Sequence, residues 1–154
     1  MNKFKAKGIL DLWRQCQKEA LTWDSEGKIN GTDFNLAKKM FIRNLKDGGC
    51  KCIGEGAYKL VLSKEDFDFV VKIYHTGAID DKCDNRLKLM RYYLKPYYKS
   101  PLISIQPKVK LSKKHNAFKL LETILGEDYC RKFDVHADNV GWLNNAPVIF
   151  DYII

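Results

Sequence analysis

The sequence lacks several features that would place it in a specialised class. No apolar run approaches the roughly 18 residues that a membrane-spanning helix needs, so we expect no membrane partner. Internal repeats and low-complexity segments are also absent. Apolar residues make up 45% of the chain and charged residues 30%, which is typical of a folded globular protein and unlike a disordered one.

Cysteine occurs in an odd number and without paired spacing. The five cysteines contain no CxxC motif, and the sequence has no secretory signal peptide. These features favour reduced thiols and a cytoplasmic location. Cys50 and Cys52 form a CxC, but neither His115 nor His136 stands at the spacing of a zinc ligand, so we expect no structural zinc.

Positive charge is in excess, with a formal net charge of +8. Such an excess is typical of proteins that bind nucleic acids, anionic surfaces, phosphate-bearing ligands or acidic proteins. Basic residues are densest over residues 86–114, where tyrosines are interleaved with them. Single-stranded nucleic acid could bind there by phosphate contacts and stacking. We prefer a solvated face with tyrosines packed on a sheet.

Hydrophobic periodicity predicts helices first and a mixed region afterwards. Apolar residues recur at three- and four-residue spacing over residues 4–22, and again from Thr32 or Asp33 to the glycines at 48 and 49. Further helices are predicted over residues 77–94 and 116–131.

After residue 49, alternating apolar residues also predict strands, over residues 53–62, 69–74, 102–105 and 108–111. We therefore predict an α+β fold with a small antiparallel sheet and helices. Residues 1–49 would form a helical hairpin, and residues 50–154 a second domain.

Three polar residues near the end of the sequence stand in a suggestive order. Asp134 precedes Asn139 by five residues, and Asp151 follows it by twelve, after an apolar run. Two carboxylates and a carboxamide that flank a predicted hairpin offer hard oxygen ligands for Mg²⁺ and a group to orient a nucleophile. The alternative is structural, because Asp and Asn favour hydrogen-bonded turns before hairpins.

A second motif combines glycines with a lysine. Gly54, Glu55, Gly56, Ala57 and Tyr58 precede an apolar strand, and Lys72 interrupts another strand eighteen residues after Gly54. Glycines let the backbone approach phosphate groups and contact them through N–H groups. A lysine within a central strand needs a partner, which predicts a phosphate contact. The alternative is an edge-strand lysine whose ammonium reaches solvent.

Together these motifs resemble the protein-kinase-like superfamily. The Asp-x-His-x-x-Asn pattern of Asp134, His136 and Asn139 is similar to the loop of aminoglycoside and small-molecule kinases. The resemblance implies ATP and Mg²⁺ as cofactors, with Lys72 and residues 54–58 on the phosphates. Asp134 would then orient the acceptor hydroxyl, and Asn139 and Asp151 would bind Mg²⁺.

The resemblance also implies a helix carboxylate that pairs with Lys72. Because residues 77–94 contain no glutamate, we predict that Asp84 takes this role. Departures from the family pattern include Lys59 at the third glycine position and Lys132 and Phe133 before the loop aspartate.

Most of the family's C-terminal lobe has no counterpart here. Either the helical hairpin of residues 1–49 would replace part of that lobe, or a partner or a second copy would hold the substrate. The leading hypothesis is a kinase that phosphorylates a protein Ser or Thr hydroxyl. A degenerate kinase-like module that captures or inhibits a protein is the alternative, and a nucleic-acid binder is a weaker one.

Overall fold

The computed structural model describes residues 2–75, 92–110, 116–132 and 135–150. The chain forms two compact units. Unit 1 comprises Met1–Ala78 and Tyr97–Ile105, and unit 2 comprises Ile79–Pro96 and Gln106–Ile154. Helices and small antiparallel sheets occur together, so the predicted α+β class is confirmed.

Unit 1 begins with two helices joined by a short β-hairpin. The elements are α1 (Asn2–Glu19), β1 (Leu21–Trp23), β2 (Ile29–Thr32) and α2 (Phe34–Asp47). The side chain of Asp33 caps α2 by accepting the Leu36 N–H at 3.0 Å, as the sequence predicted. The prediction that the first helix continues to about residue 22 is wrong, because residues 21–23 pair with β2.

Five strands follow, and all but the last two residues of β7 belong to unit 1; the strand order in the sheet is β3-β4-β5-β7-β6. They are β3 (Lys51–Glu55), β4 (Lys59–Ser63), β5 (Phe69–Tyr74), β6 (Tyr98–Lys99) and β7 (Ile103–Pro107). The pairs β3–β4, β4–β5 and β6–β7 are antiparallel, which agrees with the predicted small antiparallel sheet.

One face of this sheet and the two N-terminal helices share a hydrophobic core. Val71 and Ile73 of β5 are buried in the same cluster as Trp13 of α1 and Phe41 of α2. The Trp13 and Phe41 rings lie 5.3 Å apart between centroids. Because the apolar stripes of the helices and the apolar face of the sheet bury each other, the units do not divide at residue 49. The composition shift at Gly49 instead accompanies a change from helix to strand.

Unit 2 contains two short helices and a β-hairpin. The elements are α3 (Ala117–Leu125), α4 (Glu127–Lys132), a 3-10 helix (Ala137–Asn139), β8 (Val140–Leu143) and β9 (Ala146–Ile149). A single helix was predicted over residues 116–131, but Gly126 interrupts it with a φ of +92°, a conformation that side chains disfavour. Leu121, Cys130 and Val140 are among the residues that form the core of this unit.

Two other predicted elements differ from the structure. Residues 76–91 lie outside the described part, and Tyr93 forms a parallel bridge with Ile149, so the predicted helix does not reach residue 94. Of the strand predicted over residues 108–111, residue 111 lies outside the described part, and residues 108–110 form a single bridge, between Lys110 and Trp142, after β7 ends at Pro107. Among the described residues, we find no helix with the length and apolar character to cross a membrane.

Candidate functional site

The predicted glycine loop is partly a strand. Gly54 and Glu55 are the last two residues of β3, and only residues 56–58 form the turn into β4. The Gly56 N–H donates to the Lys59 carbonyl at 3.0 Å and closes this turn. The prediction of one loop over residues 54–58 is therefore corrected to a two-residue strand end followed by a three-residue turn.

The backbone around both glycines is open. A Cβ atom added to Gly54 or Gly56 would meet no described atom within 4 Å, so the packing of the described residues does not require glycine at either position. Tyr58, at the end of the turn, is 56% exposed. This open surface leaves room for a ligand to approach the backbone closely, which is another reason for glycine at these two positions.

Lys72 lies on the same row of the sheet as Gly54. In the antiparallel registers Lys72 pairs with Val61, and Val61 pairs with Gly54. A bulge at Ile53 produces this row, because it moves Gly54 rather than Ile53 opposite Val61. Residues opposite each other in adjacent strands point to the same face, so Lys72 projects on the face that Gly54 shares.

This face is the one turned away from the core of unit 1. Val71 and Ile73 flank Lys72 in β5 and both belong to the core cluster, so alternation directs Lys72 to the other side. The lysine is nevertheless only 6% exposed. A buried ammonium is favourable only with polar or anionic partners. The edge-strand alternative is excluded, because β5 lies between β4 and β7.

In unit 2, His136 and Asn139 cap each other around the 3-10 helix. The Asn139 side-chain oxygen accepts the His136 N–H at 3.0 Å, and the His136 Nδ1 accepts the Asp138 N–H at 3.3 Å. Asn139 is 2% exposed. This geometry gives the Asn139 carboxamide a structural role, which sequence analysis had kept as the alternative.

The hairpin of β8 and β9 returns the chain to Asn139. The Phe150 N–H donates to the Asn139 carbonyl at 3.0 Å, and the Phe150 carbonyl accepts the Gln106 Nε2 at 3.0 Å. Both the N–H and the carbonyl group of Phe150 are thereby hydrogen-bonded, and the backbone of Phe150 is joined to that of Asn139.

Three predicted site residues lie outside the described part of the chain. They are Asp84, Asp134 and Asp151. Their predicted roles as the Lys72 partner, the residue that orients the hydroxyl and a Mg²⁺ ligand stay predictions. Within residues 2–75, 92–110, 116–132 and 135–150, no cluster of three His, Cys, Asp or Glu side chains forms a metal site.

Sequence reasoning missed two residues that lie next to the predicted glycine turn. His75 and Lys38 form hydrogen bonds around the end of β5, next to the turn at residues 56–58. A signal for His75 was present, because it directly follows the strand that carries Lys72. Lys38 gave no such signal, because it lies among other basic residues on the outer face of the second predicted helix.

Each unit, taken by itself, has groups of the type that the resemblance implies. In unit 1, the Lys72 ammonium and the N–H groups of Ala57 and Tyr58 are of the type that contacts phosphate oxygens. In unit 2, the Asn139 side chain has an oxygen of the hard type that Mg²⁺ prefers. A comparison with protein-family models finds no match, and no curated protein matches the sequence significantly.

Proposed function

We propose that the chain is an ATP- and Mg²⁺-dependent phosphotransferase whose acceptor is a Ser or Thr hydroxyl of a protein. The observation that carries this proposal is the position of Lys72, buried on the third strand of the five-stranded sheet and in one row with Gly54. Protein kinases likewise place a lysine on the third strand and a glycine-rich loop over the phosphates.

Each residue would position a group or neutralise charge. Lys72 would balance the negative charge of the nucleotide phosphates, and the turn at residues 56–58 would cover them, with the N–H groups of Ala57 and Tyr58 as donors. Asn139 and Asp151 would hold Mg²⁺, which supplies charge neutralisation between the phosphates. Asp134 would orient the acceptor hydroxyl and accept its proton. Catalysis of this kind depends mainly on placement and electrostatics.

A protein acceptor is supported by apolar surface on the β1–β2 hairpin. Trp23 and Ile29 are opposite each other in the register and are 61% and 55% exposed. Large exposed apolar side chains that lie together are typical of protein-binding surfaces. The same surface favours a second candidate function, a kinase-like module that captures a protein without phosphoryl transfer. Lys59 at the third glycine position also supports this second candidate.

The nucleotide part is tested by thermal unfolding with ATP, with and without Mg²⁺. At a ligand concentration 100 times Kd the stabilisation is about 2.7 kcal/mol, or about 5–10 °C for a chain of this length. We expect the shift in the wild type and its loss in Lys72→Met, which keeps an unbranched side chain at the buried position. Lys51→Met is the matched control, because Lys51 is an exposed lysine at the start of β3.

The transfer step is tested with ATP labelled on the γ-phosphate and candidate protein acceptors. We expect labelled protein with the wild type and none with Asp134→Asn, while the ATP-dependent thermal shift remains in that variant. A wild type without any Mg²⁺-dependent ATP shift would contradict the proposal. A protein partner captured equally by the wild type, Lys72→Met and Asp134→Asn, without labelling, would favour the binding module.

A further inference from the structure

His75 bonds both ends of the turn between β3 and β4. Its backbone N–H donates to the Tyr58 carbonyl at 2.9 Å, and its ring Nε2 lies 3.2 Å from the Gly56 carbonyl. Because a carbonyl oxygen can only accept, this contact requires the Nε2 hydrogen. One residue at the end of β5 thereby connects the Lys72 strand to the first and last residues of the turn.

His75 is itself held from α2. The Lys38 ammonium donates to the His75 carbonyl at 2.9 Å and to the Tyr74 carbonyl at 3.2 Å. Ala37 and Phe41, on the same helix, are fully buried in the core of unit 1. The end of β5 is therefore anchored to a rigid helix, and His75 can restrain the turn rather than follow its movements.

Packing contributes little restraint to the turn. Gly56, Ala57 and Tyr58 are all exposed, and neither Gly54 nor Gly56 has a described atom where a Cβ would be. An exposed turn with few apolar contacts has low local stability unless hydrogen bonds hold it. Besides the Gly56 N–H bond to the Lys59 carbonyl, which closes the turn, the two bonds from His75 therefore help to set its conformation.

We propose that His75 is a positioning residue for the nucleotide, which sets the turn at residues 56–58 in the conformation that receives the phosphates. This inference rests on the proposed function. A turn that is already ordered loses less conformational entropy when the nucleotide binds. Nucleotide affinity is then expected to depend on the hydrogen of the His75 ring, although the ring need not contact the nucleotide.

The test compares the wild type with His75→Ala and His75→Gln, since a glutamine amide can still donate. Hydrogen exchange is measured over residues 56–59 without ligand, and Kd for Mg·ATP by calorimetry. We expect faster exchange and about two- to tenfold weaker binding in His75→Ala, as for the loss of one hydrogen bond. His75→Gln should restore most of both values. Lys51→Ala is the control and should change neither.

Kinetics separate positioning from general damage to the fold. With a protein acceptor, we expect His75→Ala to raise KM for ATP by the same two- to tenfold factor and to change kcat by less than about twofold. A general structural defect would lower Tm without ligand and raise KM for the acceptor. We expect His75→Ala to leave both quantities at the values of the Lys51→Ala control.

The outcomes distinguish this inference from the proposed function. If the wild type fails to bind Mg·ATP, the proposed function is overturned, and the role of His75 in nucleotide binding falls with it. If the wild type binds and His75→Ala binds equally well with unchanged exchange, the inference alone is overturned. Failure of His75→Gln to restore either value would also overturn the role of the ring donor.

Discussion

Replacement of Asn139 by alanine tests the structural role of a buried polar side chain of unit 2. The carboxamide oxygen accepts the His136 N–H at 3.0 Å, and the residue is 2% exposed. Alanine removes this acceptor and leaves the His136 N–H without its partner in the 3-10 turn. We expect the variant to be less stable even when neither nucleotide nor metal is present.

The magnitude follows from the partial burial of the hydrogen bond. Loss of one partner of a fully buried hydrogen bond costs about 1–3 kcal/mol, and we expect about 1–2 kcal/mol here because His136 is half-buried and water can reach its N–H. For a chain of this length that corresponds to a fall in Tm of about 2–8 °C. The change should be local, because Asn139 also accepts the Phe150 N–H through its backbone carbonyl, which alanine retains.

The assay combines thermal unfolding with hydrogen exchange over residues 135–150. We expect the His136 amide to exchange faster in Asn139→Ala, while amides of the β8–β9 hairpin change less. Asn139→Asp is the matched control, because a carboxylate oxygen can accept the same N–H. It should restore most of the stability, and it also retains a hard oxygen for Mg²⁺.

One result would refute this reasoning. If Asn139→Ala without ligand melts within about 1 °C of the wild type, and the exchange of the His136 amide is unchanged, the carboxamide has no structural role. A defect that occurs only in Mg·ATP binding would then identify Asn139 as a ligand and nothing else. If both the stability and the binding change, the residue has both roles.

Three further predictions concern stability and thiol reactivity. Phe41→Ala should cost about 3–5 kcal/mol in urea unfolding, because the ring is fully buried against Trp13; a cost below about 1 kcal/mol would contradict the shared core. Burial raises the pKa of the Cys130 thiol, so iodoacetamide at pH 8 should modify exposed Cys52 at least about tenfold faster. Equal labelling rates for Cys52 and Cys130 would contradict the burial of Cys130. Because of the raised pKa, the folded state holds the Cys130 proton more tightly than the unfolded state does. This thiol's contribution to the stability of the fold should therefore fall as pH rises past about 9. Gly126→Ala should lower stability by about 1–3 kcal/mol, because its φ of +92° strains any side chain; an unchanged Tm would show that the helices can join without it.

Local signals were sufficient for several elements. Thr32 and Asp33 were the two predicted caps at the start of α2, and Asp33 takes this role because a capping side chain acts within three residues. The alternating residues on both sides of the predicted turn at residues 63–68 predicted β5 and, as part of one strand over residues 53–62, β4, since strand periodicity repeats every two residues. In each case the interactions that stabilise the element lie close together in sequence.

Other elements depend on partners that are distant in sequence. Tyr98 and Lys99 form β6 because they pair with Ile105 and Ser104 across a turn, and their own sequence has no alternation to indicate a strand. Leu21 continues a helical periodicity but pairs with Thr32 instead. Gly126 lies within the helix predicted over residues 116–131, and only its φ shows that it ends a helix there.

The residue types of the candidate site and their spacing were legible from the chain alone, because glycine, lysine, aspartate and asparagine each have a limited chemistry. Which of them share a surface was not, since that depends on strand register and on backbone hydrogen bonds between distant residues. The bulge at Ile53 aligns Gly54 with Lys72, and the register of β4 with β5 brings His75 to the glycine turn. Both alignments are set by pairing between strands, which no local pattern encodes.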